Sequence, residues 1–133
     1  MILDTNVVID LIDGAGSADF VARIAALQSR HSLVVNEIIF AEISSRYASA
    51  DDVFELLSAL RLRLIRLSLV DCHRAGAAFG VYRREGRSRT TILPDFLIGA
   101  QAEGQGWPIV TRDRKGFAKY FPKVDLIDPY EGS

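Results

Sequence analysis

Four acids, Asp4, Glu42, Asp95 and Asp113, each fall at or near a junction between a short apolar run and a helix. Such junctions open at the carboxyl edge of a parallel sheet, where loops and helix N-termini converge. Carboxylates brought close together repel one another and raise each other's pKa, so a cluster of them is costly unless a divalent cation neutralises it. Hard oxygen ligands select Mg2+ or Mn2+ over zinc. Magnesium keeps several waters and completes its octahedron with phosphate oxygens, and a metal-bound water loses its proton more readily than bulk water. Phosphodiester hydrolysis on such an ion needs no His, Ser or Cys nucleophile, and none is well placed in this chain.

Taken singly, each acid has a plainer reading. Asp4 or Thr5 caps a helix over 6–12. Glu42 shares a face with Ile38 and Ile39 and points partly inward, or it forms a surface pair with Arg46 four residues on. Asp95 in a first helical turn is favoured by the helix dipole alone, and Asp113 begins a turn between Arg112 and Arg114. Asp10, Asp13, Asp19, Asp51, Asp52, Glu55, Asp71 and Glu103 sit where exposed faces or caps account for them. His31 and His73 fall in a helix-to-strand loop and an early helical turn, away from the acid edge. Cys72 reads as a small buried or half-buried residue.

The elements that must position the acids follow from apolar spacing. Ile2-Leu3 reads as a strand passing into a helix at Asp4. Ser17 caps a helix whose Phe20, Val21, Ile24 and Leu27 share one face. Leu33-Val34-Val35 is a β-branched run, and Asn36 caps a helix through Ile38, Ile39, Ile43 and Tyr47. Asp51 opens a helix with Val53, Leu56, Leu57 and Leu60, after which Leu64-Ile65-Arg66-Leu67 is the third strand. A helix over 69–85 carries Val70, Ala77, Ala78, Val81 and Tyr82, and its Gly76 and Gly80 predict close packing against a neighbour. After a polar stretch over 83–91, Leu93-Pro94 leads into Asp95 at the head of a helix ending near Gly104. Ile109-Val110-Thr111 is a fourth strand, followed by a short helix near 117–121 and an edge strand over 124–127. The tail 128–133 has turn composition and is expected to fray. No two strands are joined by a tight hairpin. That implies parallel pairing through right-handed crossovers: a three-layer α/β/α sandwich around a parallel sheet of four to five strands.

With 133 residues, 49% of them hydrophobic and 25% charged, residues 1–133 read as a single domain with one core. A net charge of −1 supplies no global attraction to a polyanion, so nucleic-acid binding rests on local basic patches. The lone cysteine excludes an internal disulfide, and two histidines beside it give no zinc spacing. That fits a reducing, cytoplasmic setting. Asp4, Asn6 and Asp10 interrupt the first apolar residues, so neither a signal peptide nor a membrane span is expected.

Four blocks together resemble the PIN-domain ribonucleases: Ile2-Leu3-Asp4-Thr5-Asn6-Val7-Val8-Ile9, a helix bearing Ala41-Glu42-Ile43, Pro94-Asp95-Phe96-Leu97-Ile98-Gly99-Ala100, and Val110-Thr111-Arg112-Asp113. Among that family the likeness is to the VapC-type toxins of bacterial and archaeal toxin-antitoxin modules. It runs from residue 1 to about 127, with the first and third blocks the most specific in combination. The resemblance implies a compact α/β/α fold, a Mg2+- or Mn2+-dependent endoribonuclease site, a homodimer, and inhibition by a cognate antitoxin. By position, Asp4, Glu42 and Asp95 match the three core acids and Asp113 the more variable fourth. Asn6 and Thr111 match polar positions that often support them. Only Met1, Ile2 and Leu3 precede Asp4, so the first strand is minimal. Arg87 and Arg89 before Asp95, with Arg112 and Arg114 flanking Asp113, are candidates to hold RNA phosphates beside the metal.

Rival readings remain. A phospho-receiver domain also gathers acids at this edge, but it expects an acceptor Asp closing the third strand, where Leu67-Ser68 stands. A PIN-like nuclease cutting DNA structures, a scaffold without catalysis and a pure interaction subunit are the others.

Overall fold

The computed structural model describes residues 1–86 and 93–130. Within them, five two-residue strands form one parallel sheet: β1 (Ile2–Leu3), β2 (Val34–Val35), β3 (Arg63–Leu64), β4 (Ile109–Val110) and β5 (Leu126–Ile127). Their order is β3-β2-β1-β4-β5. Ile2 lies opposite Val34 on one side and Ile109 on the other, and Leu3 lies opposite Val110. Helices cover both faces, so the inner strands β1, β2 and β4 are buried apolar pairs with no alternation, while the edge strand β3 exposes Arg63. Ile2, Leu3, Val35, Ile109 and Val110 are fully buried.

A first strand of two residues is anchored from both sides. The Ile2 N–H donates to Pro108 O at 3.0 Å, the Asp4 N–H to Val110 O at 2.9 Å, and Met1 O accepts from the Val34 N–H at 2.9 Å. The third strand is shorter than its apolar run predicts. After the Ile65 N–H donates to Val35 O at 2.9 Å, the chain leaves the ladder. The Leu67 N–H turns instead to Glu37 Oε1 at 2.6 Å, and the carbonyls of Ile65 and Arg66 accept from the Gln101 side chain.

The connecting helices are α1 (Thr5–Asp13), α2 (Ala18–Arg30), α3 (Glu37–Ser44), α4 (Ala50–Ala59), α5 (Leu69–Arg84), α6 (Leu93–Gln105) and α7 (Arg114–Ala118), making a three-layer α/β/α sandwich. Side chains cap α2, α4 and α5 in the usual way: Ser17, Ser49 and Ser68 accept from the third N–H of each. Asn36 does more. Its Oδ1 accepts from the Ile38 and Ile39 N–H groups at the head of α3, while its Nδ2 donates to Gln101 Oε1 at 2.9 Å. Asn36 and Gln101 are both fully buried, and together they tie α3 to α6.

Several faces differ from their predicted ones. Val21, Val70 and Val81 are exposed, and α5 buries Asp71 and Ala75 along with the predicted Tyr82. Asp71, expected at an exposed cap, is only 3% exposed because α5 lies along α6. The close-packed glycines belong to the partner helix. Nothing stands near a Cβ placed on Gly76, whereas one on Gly104 would meet Asp71 Oδ1 at 2.1 Å and one on Gly99 the Phe121 ring at 2.4 Å. Over 128–130 the tail packs on the body of the fold. Tyr130 stacks on Phe20 with centroids 4.6 Å apart, and Arg23 donates to Pro129 O at 3.1 Å. Residues 131–133, like most of the polar stretch before α6, lie outside the described residues.

Candidate active site

The strand order reverses at β1, with β2 and β3 to one side and β4 and β5 to the other. A crevice therefore opens beyond the carboxyl ends of β1 and β4. Asp4 follows β1 and Thr111 follows β4. Across the crevice the Thr111 hydroxyl donates to Asp4 Oδ2 at 2.8 Å, and the Thr5 N–H donates to Oδ1 at 2.8 Å. Asp4 is thus the N-cap of α1 and a carboxylate of the crevice at once, with one oxygen committed to each.

Thr5 reaches a second acid. Its hydroxyl donates to Glu42 Oε1 at 2.8 Å, so the first residue of α1 joins Asp4 to the exposed carboxylate on α3. The surface pair between Glu42 and Arg46 does not form, because Arg46 goes to Asp13 at 2.6 Å. Asp113 caps α7: its Oδ1 accepts from the Gly116 N–H at 3.0 Å, and its own N–H donates to Thr111 Oγ1 at 2.9 Å. A Cβ on Gly116 would stand 2.5 Å from Asp113 Oδ2, so a side chain there would turn the Asp113 carboxylate from its present position. Asp95 sits half-buried in the first turn of α6. Its neighbour Phe96 is seated among Phe79, Tyr82, Tyr120 and Phe121, which fixes where that turn ends up.

The four carboxylates feel one another. Burial first, then the charges of Asp4, Glu42 and Asp113, push Asp95 up to about 7. Asp4 is also raised, mainly by burial and further by Glu42 and Asp113, against the opposing hydrogen bonds from Thr111 and Thr5. Among the described residues no Arg, Lys or His forms an ion pair with any of the four. Beside Asp95 and Asp113 lies a cavity of about 40 Å3 closed by Phe96, Phe117 and Phe121, room for about two or three waters.

The profile of the PIN-domain family matches residues 1–121. The chain belongs to that family. No curated protein matches it. Among solved structures, the PIN fold recurs in VapBC-1 from nontypeable Haemophilus influenzae, 19% identical over 98% of each chain with a TM-score of 0.74. It recurs in VapBC2 from Rickettsia felis, bound to a DNA fragment from their promoter, 20% identical over 94% of this chain and 95% of that one, TM-score 0.73. A toxin-antitoxin complex from Klebsiella pneumoniae is 25% identical over 98% of each chain, TM-score 0.65.

PIN domains are generally nucleases and typically use divalent metal ions. Among the described residues, no three His, Cys, Asp or Glu side chains stand ready to ligate one ion together. The donor set still fits a hard, hydrated cation. It is all carboxylate, its mutual repulsion has no cationic partner among the described residues, and magnesium ordinarily takes one or two carboxylates directly and meets others through water.

Several residues of this PIN domain escaped the sequence reading. Thr5 reads in the sequence only as a helix-start residue, although a threonine there has a hydroxyl to spare. Asn6, expected to support the acids, is exposed and makes no hydrogen bond to them. Arg87 and Arg89 lie outside the described residues. Arg112 is half-exposed but held: its Nη1 is 3.3 Å from Asp10 Oδ2, and its guanidinium carbon lies 5.4 Å from the Tyr130 ring centroid. The Tyr130 hydroxyl donates to the same Asp10 oxygen. Burial, then the Asp10 carboxylate, push the Tyr130 phenol well above its ordinary value, so it stays a donor. Asp10, predicted on an exposed face, is thus the pivot of a three-residue contact next to Asp113.

Proposed function

We propose that this chain is a Mg2+- or Mn2+-dependent endoribonuclease, acting in the cytoplasm as the toxin of a toxin-antitoxin pair. The observation that carries the reading is the set of four carboxylates at the crevice between β1 and β4, mutually repelling and without a cation partner among the described residues. In this reading Asp4, Glu42 and Asp95 hold the metal, with Asp113 as a fourth and less essential acid. The bound ion supplies an activated water and offsets charge developing on the phosphate.

The chain's own residues do the rest. Thr5 and Thr111 fix both oxygens of Asp4, and Thr5 holds Glu42 toward it. Arg112 presents guanidinium N–H groups to a substrate phosphate, aimed by Asp10 and Tyr130. A cognate antitoxin is the expected partner, since the similar folds above include those of toxin-antitoxin complexes. A homodimer of single-domain chains completes the reading: Leu69 and Val70 at the head of α5 are 87% and 70% exposed, apolar surface a second copy can cover. No helix among the described residues is long and apolar enough to cross a membrane.

Protein freed of any partner is expected to cut RNA oligonucleotides with Mg2+ or Mn2+, to stop on chelation with EDTA, and to recover when metal is added back. Matched DNA oligonucleotides in the same assay distinguish the rival DNA-structure nuclease. Cleavage that persists in EDTA would overturn the metal-dependent reading. A finer prediction concerns Tyr130→Phe, which removes one of the two contacts that fix Asp10 beside Arg112. The KM for RNA is expected to rise about three- to ten-fold with kcat changed less than about two-fold, as for a lost substrate-orienting contact. An unchanged KM in steady-state cleavage would remove Arg112 from the substrate path.

A further inference from the structure

We propose that the edge of the sheet opposite the acids carries a second site, an anion site for a phosphate group. There, at the amino ends of β2 and β3, a cavity of about 320 Å3 is lined by Gln28, Ser29, His31, Ser32, Arg61 and Arg63 among others, and by no Asp or Glu. Because every strand is parallel, the four carboxylates of the crevice lie at the other end of the sheet.

The arginines here are uncommitted. Arg66, two residues past β3, pairs with Glu37 at 3.2 Å, and Arg46 pairs with Asp13 at 2.6 Å. Arg61 and Arg63, both exposed, make neither an ion pair nor a side-chain hydrogen bond among the described residues. The bland account of such cations is that they offset the carbonyl ends of α2 and α4, which both stop here. That account leaves too much over. The last carbonyls of α4 are already taken: Leu57 O by the Leu62 N–H at 2.8 Å, Ser58 O by the Arg61 N–H at 3.0 Å, and Leu60 O by Gln28 Nε2 at 2.7 Å. Arg63, moreover, belongs to the edge strand and not to a helix end.

The backbone adds an independent sign. Arg61 is the one non-glycine residue with positive φ among the described residues, at 57°. It takes up the left-handed position that follows a helix, where glycine carries no steric penalty and arginine does. Folding alone would favour glycine there, so the strain marks a side chain kept for another purpose.

Two guanidinium groups suit phosphate, whose oxygens accept paired N–H bonds. The volume admits a group of nucleotide size. No Phe, Tyr or Trp lines the cavity, so there is no platform for stacking a base, and recognition stops at the phosphate. That phosphate belongs either to a free nucleotide or to an RNA backbone whose body is drawn to this face while the acids work at the other.

The test titrates the intact chain, in EDTA so that the acid edge takes no metal, with orthophosphate, a 5′-mononucleotide and a single-stranded RNA oligonucleotide. Binding is read by calorimetry at two salt concentrations. Wild type is expected to bind at least one of them with Kd of about 1 mM or tighter, and Arg61→Gly and Arg63→Gln are each expected to weaken it at least about ten-fold. Arg61→Gly also separates binding from folding, since its melting temperature should match or exceed that of wild type. Equal affinity for mononucleotide and oligonucleotide assigns the site to a free ligand. Tighter oligonucleotide binding with a salt slope that falls in the variants assigns it to RNA backbone. No binding by wild type, or binding unchanged in both variants, overturns the proposal. Neither outcome bears on cleavage at the acid edge, which is measured separately with metal present.

Discussion

Asp95→Asn is expected to lower metal-dependent RNA cleavage by about a thousand-fold or more and, in the metal-free protein, to raise the melting temperature. The first effect follows if Asp95 is a metal-holding carboxylate, because no neutral amide replaces the charge that draws in the ion. The second follows from burial and the repulsion of Asp4, Glu42 and Asp113, which push this group from 3.8 up to about 7. Since the folded value lies above the unfolded one, the folded chain holds a proton that the unfolded chain has released between about pH 4 and pH 7. Stability from this group is therefore fully present below the unfolded value and is lost as pH rises through the folded one. At pH 7.5 an isosteric amide should regain about 1–2 kcal/mol, after discounting for solvent around a half-buried carboxylate, or roughly 3–8 °C. At pH 4 the gain should vanish. Melting curves of both proteins at pH 4, 5.5 and 7.5 in EDTA, then with Mn2+, check this. Equal melting points at pH 7.5 would show that the four acids do not strain the fold. Cleavage above about a tenth of wild type would take Asp95 out of the site.

Gln101→Leu should cost about 2–4 kcal/mol, roughly 10 °C in melting temperature. Gln101 accepts from Asn36 Nδ2 at 2.9 Å and donates to Ile65 O and Arg66 O at 3.1 and 3.2 Å, and the Gln101 and Asn36 side chains are themselves fully buried. Leucine fills a similar volume but strands one donor and two acceptors, and a half-satisfied buried network is worse than none. The same network locks α3, which carries Glu42, to α6, which carries Asp95. Activity per folded molecule is therefore expected to fall about ten-fold at a temperature where the variant stays folded. Adding Asn36→Leu should cost less than the sum of the two single changes, because the partners are already lost. A destabilisation below about 1 kcal/mol would mean that the network does not hold the two helices.

Much of the fold was legible because it rests on local patterns. Short β-branched runs followed by Asp, Asn or Ser caps announced parallel strand–helix units, and that alone predicted loops opening at one edge. The misplaced faces have a common cause. In α5 the apolar residues Val70 and Val81 suggest the buried side, yet the helix buries Asp71, Ala75 and Tyr82, with Asp71 against Gly104 of α6 and Tyr82 against Phe96, and a glycine leaves no apolar mark on its partner. Gln101 did carry a faint sign, a lone amide between the buried Ile98 and Ala102. The tail offered none, since Asp128-Pro129-Tyr130 reads as a turn whether or not its ring finds Phe20.

Composition and spacing were enough to establish the order of elements, the parallel sheet and the presence of an acid at each of four junctions. They left Asp4 poised between cap and ligand, and Glu42 between Arg46 and the interior. Folding gives each of them a contact distant in the chain: Thr111 reaches Asp4 across 107 residues, and Thr5 reaches Glu42 across 37. Periodicity reports which side of an element faces inward, because burial acts on each residue through its own neighbours in sequence. A hydrogen-bond partner is chosen by how whole elements stack, and that choice exists only once the sheet has brought β1 and β4 side by side.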